Sequence, residues 1–374
     1  MVSDGERRRR YTRLREEMQA AGYETLLVAG REGAVGRGAV RYLSDWHIWG
    51  GTGYVVVPLH GEPSLILGSN SQAMWARRIG WVQDVRVGMH GPVPETVGVL
   101  NRLGVGGRLG VVGMARFMPH ADLVAFQSGL PGVEFAHADE VFERVRQVKS
   151  DEEIRAITET SEVVADAMRA FKRVLAPGKT ERQCVAEAWR VAREGGVIDG
   201  IAHITHEDPA FIRPPSDRKI GRDDVVKFSM EMAGANGYQI ELAAVFSFKE
   251  PNAEYRRLFD TVMRAKHKIR SLLRPGVRHT EIAEAVEAIW AEDGWTPNTR
   301  VIWDGHGIGL DVIEPPLLLR GSEETLKANM VMNIHPGLAY GDRMLGMYIQ
   351  DNYVVQEGGA EPLSGWEHRW HVVG

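Results

Sequence analysis

Asp304-Gly305-His306-Gly307-Ile308-Gly309-Leu310-Asp311-Val312-Ile313-Glu314-Pro315-Pro316 sets one histidine and three acids among glycines and apolar residues. Ionisable groups are costly to bury without partners, so in strand-like apolar text they are either paired with one another or used for chemistry. The same pattern recurs downstream in Met332-Asn333-Ile334-His335-Pro336-Gly337 and in Met347-Tyr348-Ile349-Gln350-Asp351-Asn352-Tyr353-Val354-Val355. Upstream, Asp224 to Phe246 reads as a hairpin turning at Asn236-Gly237, a dipeptide suited to a tight turn. That turn sets Glu231 and Glu241 on adjacent strands.

The second half also carries a weak internal repeat. Val174-Leu175-Ala176-Pro177-Gly178 followed by Thr180-Glu181 is echoed by Leu272-Leu273-Arg274-Pro275-Gly276 followed by Thr280-Glu281. Two halves of helices then strands, facing each other across one cleft, are the expectation. Ahead of them, Ser150 can cap a long amphipathic helix from Glu152 to Leu175 whose first turn is acidic. The domain boundary falls there, giving domains 1–147 and 148–374. In the first domain a charged helix, Glu6 to Ala21, precedes short apolar runs at Thr25–Ala29, Tyr54–Pro58, Ser64–Leu67 and Arg108–Val112, with a helix around Pro94 to Leu103. This is an α/β pattern. Gly30, Gly33, Gly36 and Gly38 follow a strand, but their spacing is not that of a dinucleotide loop and no clear helix follows.

Composition narrows the chemistry. The 374 residues are 44% apolar and 25% charged, enough core for two domains, and 45 basic against 50 acidic side chains give a charge of −5. No basic field for a nucleic-acid backbone results. The single cysteine, Cys184, excludes an intrachain disulfide and a thiolate metal cluster. No apolar run reaches the roughly 18–20 residues of a membrane span, and Met1 to Arg10 is polar and basic where a secretory signal turns apolar. A cytoplasmic enzyme with neither nucleic-acid nor membrane partners is expected. Thirteen histidines are the entry that points to chemistry, so their placement matters.

The marks Gly237-Tyr238, Gly305-His306-Gly307-Ile308-Gly309-Leu310, Glu314-Pro315-Pro316, Ile334 with Pro336-Gly337, and Ile349 with Asp351-Asn352 resemble the creatinase and aminopeptidase P family. The resemblance covers essentially the whole chain. It implies a creatinase-like α/β N-terminal domain, the Lys149-Ser150 linker, and an α+β pita-bread C-terminal domain. Peptidases of that family hold two metal ions with two aspartates, a histidine and two glutamates. On that alignment the first aspartate falls on Met230 or on Glu231, the second is Glu241, and His306 matches the histidine. His335 and Gln350 replace the two glutamates, and Ile313 replaces a further histidine. An imidazole and an amide cannot supply the bridging charge of a dinuclear site.

Two readings follow. In the first, which is the expectation, no cofactor is needed: Glu231 and Glu241 hold a small amide, amidine or guanidino substrate while His306 and His335 move protons during hydrolysis of a carbon–nitrogen bond. In the alternative, Glu241, His306 and His335 enclose one divalent transition metal, or the enzyme is an Xaa-Pro-type peptidase. A lyase using the same cleft and a non-catalytic pita-bread binding protein remain further alternatives. His206 is expected as an auxiliary acid or base, with His203 beside it, and Arg213 to grip a substrate carboxylate. Tyr238, Glu314 and Gln350 are expected at the substrate. The family's dimers imply a homodimer in which the N-terminal domain walls the partner's cleft, so that Trp46, His47 and Trp49 touch substrate.

Each expectation has a structural competitor. Strand alternation puts every second side chain in solvent, which would make Glu231 and Glu241 ordinary surface acids. Glu314 can fix a turn, and Gln350 can fill hydrogen bonds. Arg7-Arg8-Arg9-Arg10 reads as a solvated helix end. The aromatic and histidine tail, Trp366 to His371, reads as a docked terminus.

Overall fold

The computed structural model describes residues 2–207, 210, 212–295, 304–340 and 345–374. It divides into two compact units, Met1–Arg146 and Gln147–Gly374.

Unit one runs α1 (Asp4–Ala20), β1 (Thr25–Arg31), α2 (Gly38–Ser44), β2 (Thr52–Pro58), β3 (Ser64–Leu67), α3 (Asn70–Ile79), β4 (Asp84–Val87), α4 (Pro92–Arg102), β5 (Arg108–Val112), α5 (His120–Gly129), β6 (Glu134–His137) and α6 (Asp139–Arg146). Its sheet has the order β4-β3-β2-β1-β5-β6. The apolar run of β1 is buried from Thr25 to Gly30, as a central strand covered on both faces requires. A helix does follow the glycine loop, contrary to the sequence reading. Gly30 is needed because a Cβ there would lie 2.5 Å from Val40 on α2. Arg10 also departs from a solvated helix end. It is 1% exposed, bonds Glu6 at 2.7 Å and the Tyr42 carbonyl at 3.0 Å, and stacks over the Tyr42 ring.

Unit two runs α7 (Asp151–Val174), α8 (Glu181–Glu194), β7 (Asp199–Thr205), β8 (Val225–Ala233), β9 (Gln239–Ser247), α9 (Ala253–Leu272), α10 (His279–Glu292), β10 (Gly305–Gly307), β11 (Glu314–Leu317), β12 (Val331–Ile334), β13 (Gly337–Tyr340), β14 (Leu345–Tyr348), β15 (Asp351–Gln356), β16 (Gly359–Pro362) and β17 (His371–Val372). The repeated Pro-Gly text ends α7 and α9, and each half then supplies a second helix and a sheet. These sheets are β17-β9-β8-β7 and β11-β10-β12-β15-β16, with β13-β14 as a separate pair. Ser150 and Glu153 form a reciprocal capping box at the start of α7, satisfying two donors that the helix cannot.

Alternation divides the β8-β9 hairpin between two jobs. Phe228 and Phe246 face α7, where Phe171 stacks on Phe228 with ring centres 3.8 Å apart. The other face carries Ser229, Glu231 and Glu241 and meets the second sheet through Gln350, whose backbone pairs with Ala243. No helix among the described residues is long and apolar enough to cross a membrane.

The C-terminal tail docks on this unit. Trp370 donates its indole N–H to Ser247 Oγ at 2.7 Å, and His371 stacks on Phe246. His368 comes within 3.4 Å of Asp351, which also receives Lys266 Nζ at 2.8 Å and the Tyr353 hydroxyl at 2.6 Å. Burial pushes the Asp351 carboxyl up, but His368 and Lys266 more than reverse this and hold it well below the usual carboxylate range. A depressed carboxyl stabilises the fold above its unfolded value, near ~3.9, and the contribution is lost as pH falls below that value. Asp351→Asn is therefore expected to cost about 3–5 kcal/mol at pH 7, as removal of one buried partner does, and to flatten the acid limb. Urea denaturation between pH 3 and 7 measures both effects.

Candidate active site

The site is built on the hairpin register. Glu231 lies directly opposite Glu241, while Met230 pairs with Leu242 on the face turned to the helices. Glu231, not Met230, therefore belongs to the site. His203 and Ile201 of β7 pair with Ser229 and Glu231 and extend the same face. The opposing wall comes from β10 and β12, where His306 is paired with Asn333, and the His335 amide donates to the Asp304 carbonyl at 2.9 Å. Glycine is needed in this wall. A Cβ on Gly307 would lie 2.4 Å from the Pro315 carbonyl oxygen, and one on Gly309 would lie 2.5 Å from both Glu314 carboxylate oxygens.

Within this frame His306 Nδ1 is 2.9 Å from the Gly307 carbonyl, to which it donates, leaving Nε2 3.4 Å from Glu241 Oε1. The His306 and His335 rings are 5.1 Å apart, and Tyr348 follows 6.0 Å from His335. Gln350 donates through Nε2 to Glu241 Oε2 and accepts the Ser229 hydroxyl at 2.5 Å. The Asn333 and Asn352 side chains both donate to the Glu241 backbone carbonyl, fixing that strand position. Glu231 and Tyr348 are only half-buried, so the cleft opens on their side.

The electrostatics follow from this packing. Burial, and then the neighbouring Glu241 charge, push Glu231 up to about 8, against smaller opposing effects of His306 and Gln350. Burial depresses His306, but Glu241 and the Gly307 carbonyl outweigh it and leave the imidazole above its ordinary value. Tyr348 is raised by burial and by both carboxylates, and His203 is lowered by burial.

Other expected site residues are committed elsewhere. Arg213 forks onto Glu181 at 2.8 and 3.0 Å, so its guanidinium is not available for a substrate carboxylate. His206 belongs to the same network, with Nδ1 2.6 Å from Asp224 and Nε2 3.3 Å from Glu181. Tyr238 is an even-numbered residue of the hairpin and donates its hydroxyl to Glu153 of α7, away from the site face. Glu314 is locked by Lys149 Nζ at 2.7 Å and by the Asp311 amide, with both side chains of the ion pair buried. In unit one, Trp46 is buried and donates to Gln72, His47 Nδ1 is 3.0 Å from Arg41, and Trp49 is exposed. Sequence reasoning missed Ser229, Asn333, Tyr348 and Lys149. For Ser229 and Asn333 the available signal was a small or amide residue interrupting apolar strand text.

Comparison with known proteins agrees with this architecture. A family model described as metallopeptidase family M24 matches residues 155–357, and one for the creatinase/prolidase N-terminal domain matches residues 10–148. The chain belongs to metallopeptidase family M24. An Xaa-Pro dipeptidase of Pyrococcus furiosus is 28% identical over 238 residues, covering 63% of this chain and 68% of the relative. A probable dipeptidase PepE of Mycobacterium tuberculosis is 26% identical over 322 residues, 85% of each chain. Among solved structures, dipeptidase PepE from Mycobacterium ulcerans superposes with a TM-score of 0.84 at 25% identity, covering 100% of this chain and 99% of that one.

Membership corrects one expectation. A family of metallopeptidases overturns the reading in which no cofactor is needed. The side chains present nevertheless do not fit the two-ion centre that the family resemblance implies. On that resemblance His335 and Gln350 stand where two carboxylates would, and Gln350 turns an N–H donor, which cannot ligate a cation, toward Glu241. Among the described residues no group of three or more His, Cys, Asp or Glu side chains is arranged to hold a metal ion.

A raised carboxyl pKa favours the fold fully below the ordinary glutamate value, near ~4.3, and this contribution is lost as pH rises through about 8. Glu231→Gln keeps the position neutral, so its stability is expected to gain on that of the wild type between pH 6 and 9 in urea titrations. Lys149→Met strands the buried Glu314 carboxylate and is expected to cost about 3–5 kcal/mol in the same assay.

Proposed function

We propose that the chain hydrolyses the amide carbon–nitrogen bond of a dipeptide-sized substrate at the Glu231, Glu241, His306 and His335 cluster. The observation that carries this is the pairing of a half-buried Glu231, raised in proton affinity, with Glu241, whose Oε1 lies 3.4 Å from His306 Nε2. Two carboxyl groups pushed apart in proton affinity are the usual arrangement for splitting acid and base work. Glu241 takes a proton from the attacking water, the water oxygen bonds to the carbonyl carbon, and the carbon–nitrogen bond breaks as Glu231 gives its proton to the departing nitrogen. His306, whose proton affinity Glu241 raises, donates from Nε2 toward the oxygen that gains charge.

The dipeptide-sized substrate is favoured over the creatinase-like guanidino compound by the relatives named Xaa-Pro dipeptidase and dipeptidase. The guanidino or amidine reading stays as a second one, because the His335 and Gln350 replacements depart from the peptidase donor set. A homodimer in which Trp49 of one chain meets the partner's cleft belongs to the same proposal, and a monomer in sedimentation velocity would remove it.

Turnover of Xaa-Pro and other dipeptides, assayed beside guanidino and cyclic amidine compounds with and without added Mn2+, Co2+ or Zn2+, tests the reading. His306→Ala and Glu231→Gln are each expected to lower kcat/KM by about 10^2–10^4-fold, the range for a lost proton-transfer group. Retained turnover in a His306→Ala, His335→Ala double variant would move the reaction away from this cleft. Elimination products in place of hydrolysis products would convert the assignment to a lyase.

A further inference from the structure

The Gln350 side chain meets more of the site than any one hydrogen bond suggests. It is 1% exposed and its backbone is pinned to Ala243 of β9, so the amide has a fixed origin. Its carbonyl accepts the Ser229 hydroxyl at 2.5 Å, and the Glu241 carboxylate on its other side, which can only accept, fixes which way round the amide lies. The amide nitrogen, an N–H donor, is turned to the carboxylate of Glu241 and bonds its Oε2. Two acids at directly opposed positions of one hairpin repel each other in a buried setting and need something positive between them. A divalent cation is one solution. An amide N–H donor held against Glu241 is another.

We propose that Gln350 is the positioning residue that sets an N–H donor against Glu241, opposite Glu231, where a cation would otherwise be held, limiting this site to no more than one divalent ion per chain. The inference rests on the cleft assigned above but not on its turnover. Replacing the amide by a carboxylate removes the N–H donor, leaves Ser229 as the donor to the new group, and places a third acid against two. Such a cluster is held together by metal.

Equilibrium dialysis of the full chain against Mn2+, Co2+ and Zn2+, with bound metal counted by mass spectrometry, reads this directly. Wild type is expected to retain at most one ion per chain. The Gln350→Glu, His335→Glu double variant is expected to retain one more, and Gln350→Glu alone to show a larger rise in Tm on metal addition than wild type. Two ions per chain in wild type would overturn the proposal whatever the variants do. So would a folded double variant, checked by circular dichroism, that retains no more metal than wild type. If the variants fold only with metal present, that dependence supports it. Failure of the substrate panel would leave these ion counts unaffected, which keeps the two outcomes distinguishable.

Discussion

The constraint on which this structure turns is the direct opposition of Glu231 and Glu241 across the β8-β9 hairpin. Two acids so placed and largely removed from water cannot both carry charge cheaply. The surroundings answer that problem in three ways. Burial and the Glu241 charge raise the Glu231 carboxyl, His306 sets its Nε2 3.4 Å from Glu241, and Gln350 donates to the other Glu241 oxygen.

Much of unit two serves to keep that opposition in register. A strand slipped by one residue turns every side chain to the other face, so Met230 would enter the cleft and Glu231 would point into the helices. The stacking of Phe171 on Phe228 resists such a slip from one side. From the other, Asn333 and Asn352 hold the Glu241 carbonyl, and Gln350 pairs with Ala243. Lys149 and Glu314 anchor the loop that follows His306 in the same manner, through a buried ion pair whose separation would leave an uncompensated charge.

Family membership and donor set point in different directions, and the structure shows where they part. The fold, the hairpin and the His306 wall follow the M24 pattern, whereas the amide of Gln350 and the imidazole of His335 change what the wall can hold. An amide in a carboxylate position need not be a vacancy. Held between the Ser229 hydroxyl and the Glu241 carboxylate, it becomes an oriented donor.

The sequence alone determined the two-domain α/β plus pita-bread class, the hairpin turn at Asn236-Gly237, the Ser150 cap and the His306 and His335 positions. Glycine, proline and polar residues in apolar strands mark such features locally, through backbone freedom and the cost of burying charge. Only the tertiary structure chose Glu231 over Met230, because register depends on which hairpin face packs against α7. It also withdrew Arg213, His206, Tyr238 and Glu314 from the substrate, since their partners Glu181, Asp224, Glu153 and Lys149 lie 32, 18, 85 and 165 positions away in the chain. A polar side chain declares in sequence that it needs a partner; which partner it receives is decided by contacts between distant segments.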